Sequence, residues 1–318
     1  MTSVKPESAH VGPFLAVDMG GSKLMLGLVQ ADGSARAVHR VEPVPEFGES
    51  LLGVISAYVG SLAGEGLELP QSCGVAVPGL TDPVHGLWRH GSFSGIKDWP
   101  IRDELESCLG MPVFIANDVD ACAVGERLWG GAAHEPNYLW ITLSNGVGGA
   151  VVLDGHLYRG PGFAAGEIGH MKAIRDGIPC ECGGHGCLEQ YASGRAISRH
   201  YKEFVGEADV ELLSAESIAG RARAGEREAQ AAFSTAAAHL GDVLADAVML
   251  LNIPCIFLGG GVSQAFDLME KPLQDALERN LYPEANTLPR IQVTRLGYEA
   301  ALLGAAAVAH PDARESFL

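Results

Sequence analysis

FLAVDMGGSKLMLGLVQ, residues Phe14 to Gln30, is an apolar run that ends in an acidic residue and a glycine pair and is followed at once by a second apolar run. That pattern predicts a buried strand, a tight polar turn and a partner strand. Tyr138 to Asp154, YLWITLSNGVGGAVVLD, repeats the plan. Hairpins with glycine turns are common singly. Two of them, so far apart in one chain, predict a duplicated two-lobed architecture, each lobe opening with a phosphate-facing hairpin.

Working outward, Ser50 to Gly64 has helical spacing, and CGVAVP (Cys73 to Pro78) is a short β-type run closed by Pro-Gly. Val113 to Ala116 predicts a strand stopping at Asn117-Asp118, with a helix beginning near Val119. After the second hairpin a loop region extends to about Gly194. The Ala-rich segment Arg221 to Leu251 then has the periodicity of long packed helices. Pro254 to Leu258 reads as a strand running into Gly259-Gly260-Gly261, and Tyr298 to Ala309 as a small-residue helix. Alternating strands and helices place the chain in the α/β class. The expected division is a leader at residues 1–13, a small lobe at 14–118 completed by the helix at about 299–318, and a large lobe at 119–298.

The chain has 318 residues, 47% hydrophobic and 19% charged, enough for two well-buried cores. Lys and Arg total 22 against 39 for Asp and Glu, a formal charge of −17. That balance disfavours nucleic acid and anionic membranes, which need clustered cations. A small anion held by backbone N–H groups and a metal ion remains compatible. The opening MTSVKPESAHVG is polar and lacks a signal-peptide core, and no apolar run is read as spanning a bilayer. Seven cysteines, three of them clustered and four scattered in apolar surroundings, do not form a disulfide framework, so a cytoplasmic protein is expected.

Asp18-Met19-Gly20-Gly21-Ser22-Lys23 offers a carboxylate for water-mediated Mg²⁺ contact and bare N–H groups for phosphate oxygens. It is not a P-loop, since the chain contains no Gly-Lys. Alone it is better read as a structural turn; Ser144-Asn145-Gly146 and Gly259 to Gly261, each after an apolar strand, could converge with it on a nucleotide, and together they outweigh that reading. Asn117-Asp118 ends a strand, where a carboxylate can accept a hydroxyl proton, and where either residue can equally cap the next helix. The two roles can coexist. His170 with Cys180, Cys182 and Cys187 supplies the four N/S ligands of a closed, structural Zn²⁺ site, with His185 as the alternative nitrogen. Glu167 and Glu189 flank that loop, and paired carboxylates suit the vicinal hydroxyls of a sugar.

The order Asp-x-Gly-Gly-Ser-x, Val-Pro-Gly, Asn-Asp-x-Asp-Ala, Gly-Val-Gly-Gly, Gly-Glu-Ile-Gly-His, Cys-x-Cys-Gly-x-x-Gly-Cys-Leu-Glu and Leu-Gly-Gly-Gly resembles the ROK family, from about Phe14 to Ala309. That family groups bacterial sugar kinases with sugar-responsive repressors. The resemblance implies the two-lobed actin-like (sugar kinase/Hsp70) ATPase fold and ATP-dependent phosphorylation of a hexose-type sugar, usually at carbon 6. It implies Asp118 as general base, with Ser92, Asn117, Glu167, His170 and Glu189 around the sugar. Gly20, Gly21, Ser22, Lys23, Asn145, Gly146 and Gly260 would serve ATP, and Asp18 Mg²⁺. A homodimer or homotetramer is the implied assembly.

The chain departs from the family pattern in three places. Ser22 replaces the usual Thr. Ser144-Asn145-Gly146 stands where kinases commonly have Gly-Thr-Gly, and Asn there is commoner among the repressors. Ser92, in His90-Gly91-Ser92-Phe93-Ser94, replaces an Asn of the sugar loop. Glucose and an N-acetylhexosamine are the leading expected substrates. A regulator or a catalytically silent sensor is the alternative. The short stretch before Phe14 and the negative charge favour the kinase expectation over a DNA-binding one.

Overall fold

The computed structural model describes residues 12–91, 95–206 and 213–316. By its internal contacts the chain divides into two units, residues 1–133 with 299–318, and residues 134–298.

The first unit begins with β1 (Phe14–Met19), β2 (Leu24–Val29), β3 (Ala35–Val41), α1 (Glu49–Gly64) and β4 (Ser72–Val77). It continues through β5 (Leu80–Asp82), β6 (Leu87–His90), β7 (Lys97–Trp99), α2 (Ile101–Leu109), β8 (Val113–Asn117) and α3 (Asp118–Trp129). The second unit holds β9 (Tyr138–Leu143), β10 (Val147–Leu153), β11 (His156–Tyr158), α4 (Glu189–Ala192), α5 (Gly194–Val205), α6 (Ala215–Arg223), α7 (Arg227–Leu251), β12 (Cys255–Gly259), α8 (Phe266–Asn280) and β13 (Arg290–Val293). The chain then returns to the first unit as α9 (Ala300–Ala309) and α10 (Pro311–Ser316).

Each unit is built on a five-stranded sheet, ordered β3-β2-β1-β4-β8 in the first and β11-β10-β9-β12-β13 in the second. Strand by strand the two have the same sense. The hairpin and its third strand are antiparallel, and the two crossover strands are parallel to the first. The duplication expected from the two hairpins is therefore a duplication of whole sheets. A separate antiparallel sheet, β5-β6-β7, was not anticipated. Its strands are three or four residues long, too short for alternation to be read.

All six residues of β1 are buried, as expected of a central strand covered on both faces. One face packs with Leu51, Ile55 and Leu62 of α1 and with Trp88. Each such fully buried aliphatic side chain contributes roughly 1.5–3 kcal/mol. On β4, a Cβ at Gly74 would lie 1.7 Å from the Ala305 carbonyl oxygen, so α9 rests directly on the sheet backbone. The small residues of α9 make that approach possible.

Three expectations shift. The first lobe was read as ending at Asp118, but the division falls after Ala133, because α3 packs on α9. Residues 1–11 of the expected leader lie outside the described residues. Gly12 and Pro13, counted in it, are buried, and Pro13 accepts a hydrogen bond from the Gln71 N–H at 3.1 Å. Finally, α7 has the length and composition to cross a membrane, with half of its apolar window buried. It packs against α5, α6 and α8, and its Asp242 accepts from Arg279 and Asn280, the interactions of a core helix.

Candidate active site

In the first unit, β1 and β2 deliver the turn from Gly20 to Lys23, closed by the Gly20 N–H donating to the Lys23 carbonyl at 2.9 Å. Gly21 and Ser22 are exposed at its tip. Asp18 precedes the turn and is buried, which pushes its carboxyl up to about 6 despite the opposing charge of Lys23. A buried carboxylate that is expensive to ionise is one a divalent cation would stabilise, so the residue fits the Mg²⁺ role.

At the end of β8 the helix cap is visible. Asn117 is the N-cap of α3: its Oδ1 accepts from the N–H groups of Val119 at 2.8 Å and Asp120 at 3.1 Å. Its Nδ2 donates to the Gly79 carbonyl at 2.9 Å, in the Pro78-Gly79 turn after β4. The capping is thus carried by Asn117. Asp118, partly exposed in the first turn of α3, accepts at Oδ1 from the Val119 N–H at 3.0 Å. A carboxylate is the kind of group that can accept a proton from a substrate hydroxyl.

In the second unit the turn from Ser144 to Gly146 joins β9 to β10, with the Ser144 N–H donating to the Gly146 carbonyl at 2.9 Å. Gly194, at the start of α5, donates its N–H to the Ser144 carbonyl at 2.7 Å. A Cβ at Gly146 would lie 2.3 Å from a carboxylate oxygen of Glu189, so a larger residue there would have to displace that side chain. Gly260 follows β12, the strand beside β9, and its carbonyl accepts from the Ser263 hydroxyl at 2.7 Å. Asn145, Gly146 and Gly260 therefore gather at the ends of adjacent strands.

The Cys/His loop, the candidate metal loop, lies against the same hairpin. Gly169, in the 3₁₀ turn Ile168–His170, would place a Cβ 2.0 Å from the Val147 carbonyl oxygen, so this turn lies directly on the β10 backbone. His170 Nδ1 is 3.7 Å from Cys180 Sγ, and Cys182 Sγ is 3.6 Å from Cys187 Sγ. All four ligand atoms fall within 4.8 Å of one another. A tetrahedral zinc with bonds of about 2.0–2.3 Å needs ligand–ligand edges of roughly 3.5–3.8 Å, so the cluster fits that ion. His185, the alternative nitrogen, is exposed and outside the cluster.

The imidazole Nε2 of His170 is 3.8 Å from a Glu167 carboxylate oxygen, too far for a direct hydrogen bond. Glu189 differs from the expected free sugar acceptor. Its Oε2 already accepts from the Val147 N–H at 3.1 Å, and its Oε1 pairs with Arg195 at 3.4 Å. Ser92 lies outside the described residues. Sequence reading missed Arg195, which contacts three of these segments, and Lys172, whose Nζ lies 2.9 Å from Cys187 Sγ. The one available signal was a cation following the Ser193 cap of α5, an ordinary surface pattern.

Comparison with known proteins agrees with this arrangement. The profile of the ROK family matches residues 14–312. A glucokinase of Streptomyces coelicolor is 31% identical over 95% of this chain and 99% of its own length. The crystal structure of a ROK family glucokinase from Streptomyces griseus in complex with glucose and AMPPNP superposes with a TM-score of 0.82 at 30% identity, covering 93% of this chain and 98% of that one. A ROK family transcriptional regulator, a homologue of the Escherichia coli Mlc protein, superposes with a TM-score of 0.85 at 26% identity over 94% of this chain and 78% of that one. Duplicated sheets, glycine turns, the metal loop and these matches lead to one assignment: the chain belongs to the ROK family.

Proposed function

We propose that this protein transfers the γ-phosphoryl group of ATP to a hydroxyl of a hexose-type sugar, at carbon 6, with glucose or an N-acetylhexosamine as substrate. The observation that carries the reading is the division of labour at the start of α3, where Asn117 does the capping and Asp118 supplies the carboxylate. In the reaction the sugar oxygen attacks the γ-phosphorus, the bond from phosphorus to the departing ADP oxygen breaks, and Asp118 takes the hydroxyl proton.

Asn117, Glu167, His170 and Glu189 hold the sugar, with Ser92 assigned to it by resemblance. Gly20, Gly21, Ser22, Lys23, Asn145, Gly146 and Gly260 serve the nucleotide. Bound Mg²⁺ would neutralise charge on the phosphates, and Asp18 would hold it. Zinc on His170, Cys180, Cys182 and Cys187 would fix the loop that carries Glu167 and Glu189. The protein acts in the cytoplasm as a homodimer or homotetramer.

The sugar-sensing regulator is the second reading, favoured by Asn145 and by the likeness to the Mlc homologue. Asp118→Ala separates the two. On the kinase reading it lowers kcat at least about 10³-fold while sugar binding persists, since the base acts in the chemical step. Near-normal turnover in Asp118→Ala would remove Asp118 from the mechanism.

A further inference from the structure

Arg195 is the second residue of α5, and each of its three guanidinium nitrogens reaches a different segment. Nε donates to the Asn145 carbonyl in the nucleotide turn at 2.9 Å. Nη1 reaches Glu181, between the metal-loop residues Cys180 and Cys182, at 3.3 Å. Nη2 reaches Glu189 Oε1 at 3.4 Å, and the other oxygen of that carboxylate holds the Val147 N–H.

We propose that Arg195 is a positioning residue that orients the phosphate-binding turn at Asn145-Gly146 and couples it to the sugar-facing metal loop. This rests on the kinase reading and deepens it.

A peptide unit is planar and trans, so its C=O and the following N–H point in opposite directions. Fixing the Asn145 oxygen on Arg195 therefore sets the direction of the Gly146 N–H, the donor assigned to phosphate. The same turn is fixed at Ser144 by the Gly194 N–H and at Val147 by Glu189. Among the described residues nothing accepts from the Gly146 N–H itself.

Stability is a poor explanation for the arrangement. The Arg195 side chain is 48% exposed and Glu181 70% exposed, the kind of ion pair that contributes little to folding. Glu189, at 16%, is the better-shielded partner, and it is also assigned to the sugar. A sugar hydroxyl that engages Glu189 competes with or tightens its bonds to Arg195 and Val147, and so reaches the nucleotide turn. The grip on position 145 is through its backbone carbonyl, so replacement of Thr by Asn there leaves it intact. Asn145 is exposed.

The test uses the intact, zinc-loaded protein with Arg195→Ala and Arg195→Lys, the sugar being whichever hexose the wild type turns over. Nucleotide affinity is measured by calorimetry with Mg²⁺-AMPPNP, with and without saturating sugar, alongside KM for ATP, KM for sugar, zinc content and melting temperature. Arg195→Ala is expected to keep its zinc and raise KM for ATP about tenfold. It should also abolish the sugar-dependent gain in AMPPNP affinity, which the wild type should show at about fivefold or more. Arg195→Lys, which keeps the charge but loses the fork, should not restore that gain.

A wild-type KM for ATP and an undiminished sugar effect in a folded Arg195→Ala would overturn the proposal. So would loss of zinc from that variant, which would make Arg195 a structural clamp. If Arg195→Ala does not fold, the Lys variant decides in the same way. A wild type that neither turns over sugars nor binds AMPPNP removes the kinase reading and this proposal with it. A wild type that turns over while the variants match it removes this proposal alone.

Discussion

Asp18 carries the sharpest electrostatic signature among the residues proposed to serve the nucleotide. Its carboxyl is raised to about 6 by burial, so between roughly pH 4 and 6 the folded protein holds a proton that the unfolded chain releases. Without Mg²⁺, stability should therefore fall as pH rises through that window, and ionised Asp18 costs the fold up to about 3 kcal/mol above it. Asp18→Asn is expected to be more stable than wild type at pH 7.5 in EDTA, to lose that advantage near pH 4, and to lose Mg²⁺-ATP turnover. Denaturant midpoints at the two pH values check the first two, and equal midpoints at both would show that burial does not govern this group.

The same scale shows how far the sequence could be read. The carboxylate and amide at 117–118 were visible, but which of them caps α3 was not, because both residue types cap helices. Geometry assigned it through the two N–H groups that Asn117 accepts. Glu189 was legible as a carboxylate near the metal loop. Its bond to Val147, far away in sequence, was not, and neither was Arg195, since both depend on how separate segments meet.

At the scale of elements, the Cys/His loop lies directly against the β9–β10 hairpin. Cys182→Ser should open the loop, lowering the melting temperature and raising the sugar Kd together, and a strong zinc chelator should do the same to wild type. Thermal melts and sugar titrations measured in parallel check this; a drop in melting temperature with unchanged sugar affinity would detach the loop from the sugar. Gly169→Ala tests the contact from the other side. Its Cβ would enter the space of the Val147 oxygen, so the turn must lift from β10 at a cost of roughly 2–4 kcal/mol. Denaturant unfolding measures that cost, and a loss under about 0.5 kcal/mol would mean the approach is not constrained.

Long, strongly patterned elements were legible at this scale: both hairpins, β4, β8, β12, α1 and α9 lie within a residue or two of their expected bounds. The Ala-rich stretch, expected to form packed helices, holds the end of α6 and the whole of α7, with a break at Gly225, whose φ is 96°. Loss of a residue boundary there reflects apolar periodicity that continues across the break.

For the whole molecule, the repeated order of the two sheets follows from the two hairpins seen at the outset, since a strand–turn–strand opening fixes where the parallel strands can add. The unit boundary was harder to read. α3 follows β8 without a linker, and it is chiefly its packing on α9, more than half the chain away in sequence, that assigns it to the first unit. The acidic surface, with a formal charge of −17, fits a protein whose anionic substrate is gripped by backbone N–H groups and a cation rather than by a basic patch.

The most direct test is an ADP-release assay with Mg²⁺-ATP against a panel of hexoses and N-acetylhexosamines, with zinc retained. The account predicts sustained turnover on one sugar far above the rest, abolished by Asp118→Ala. No turnover on any of them, with at least one still raising the melting temperature, would contradict it and identify the protein as a sugar sensor.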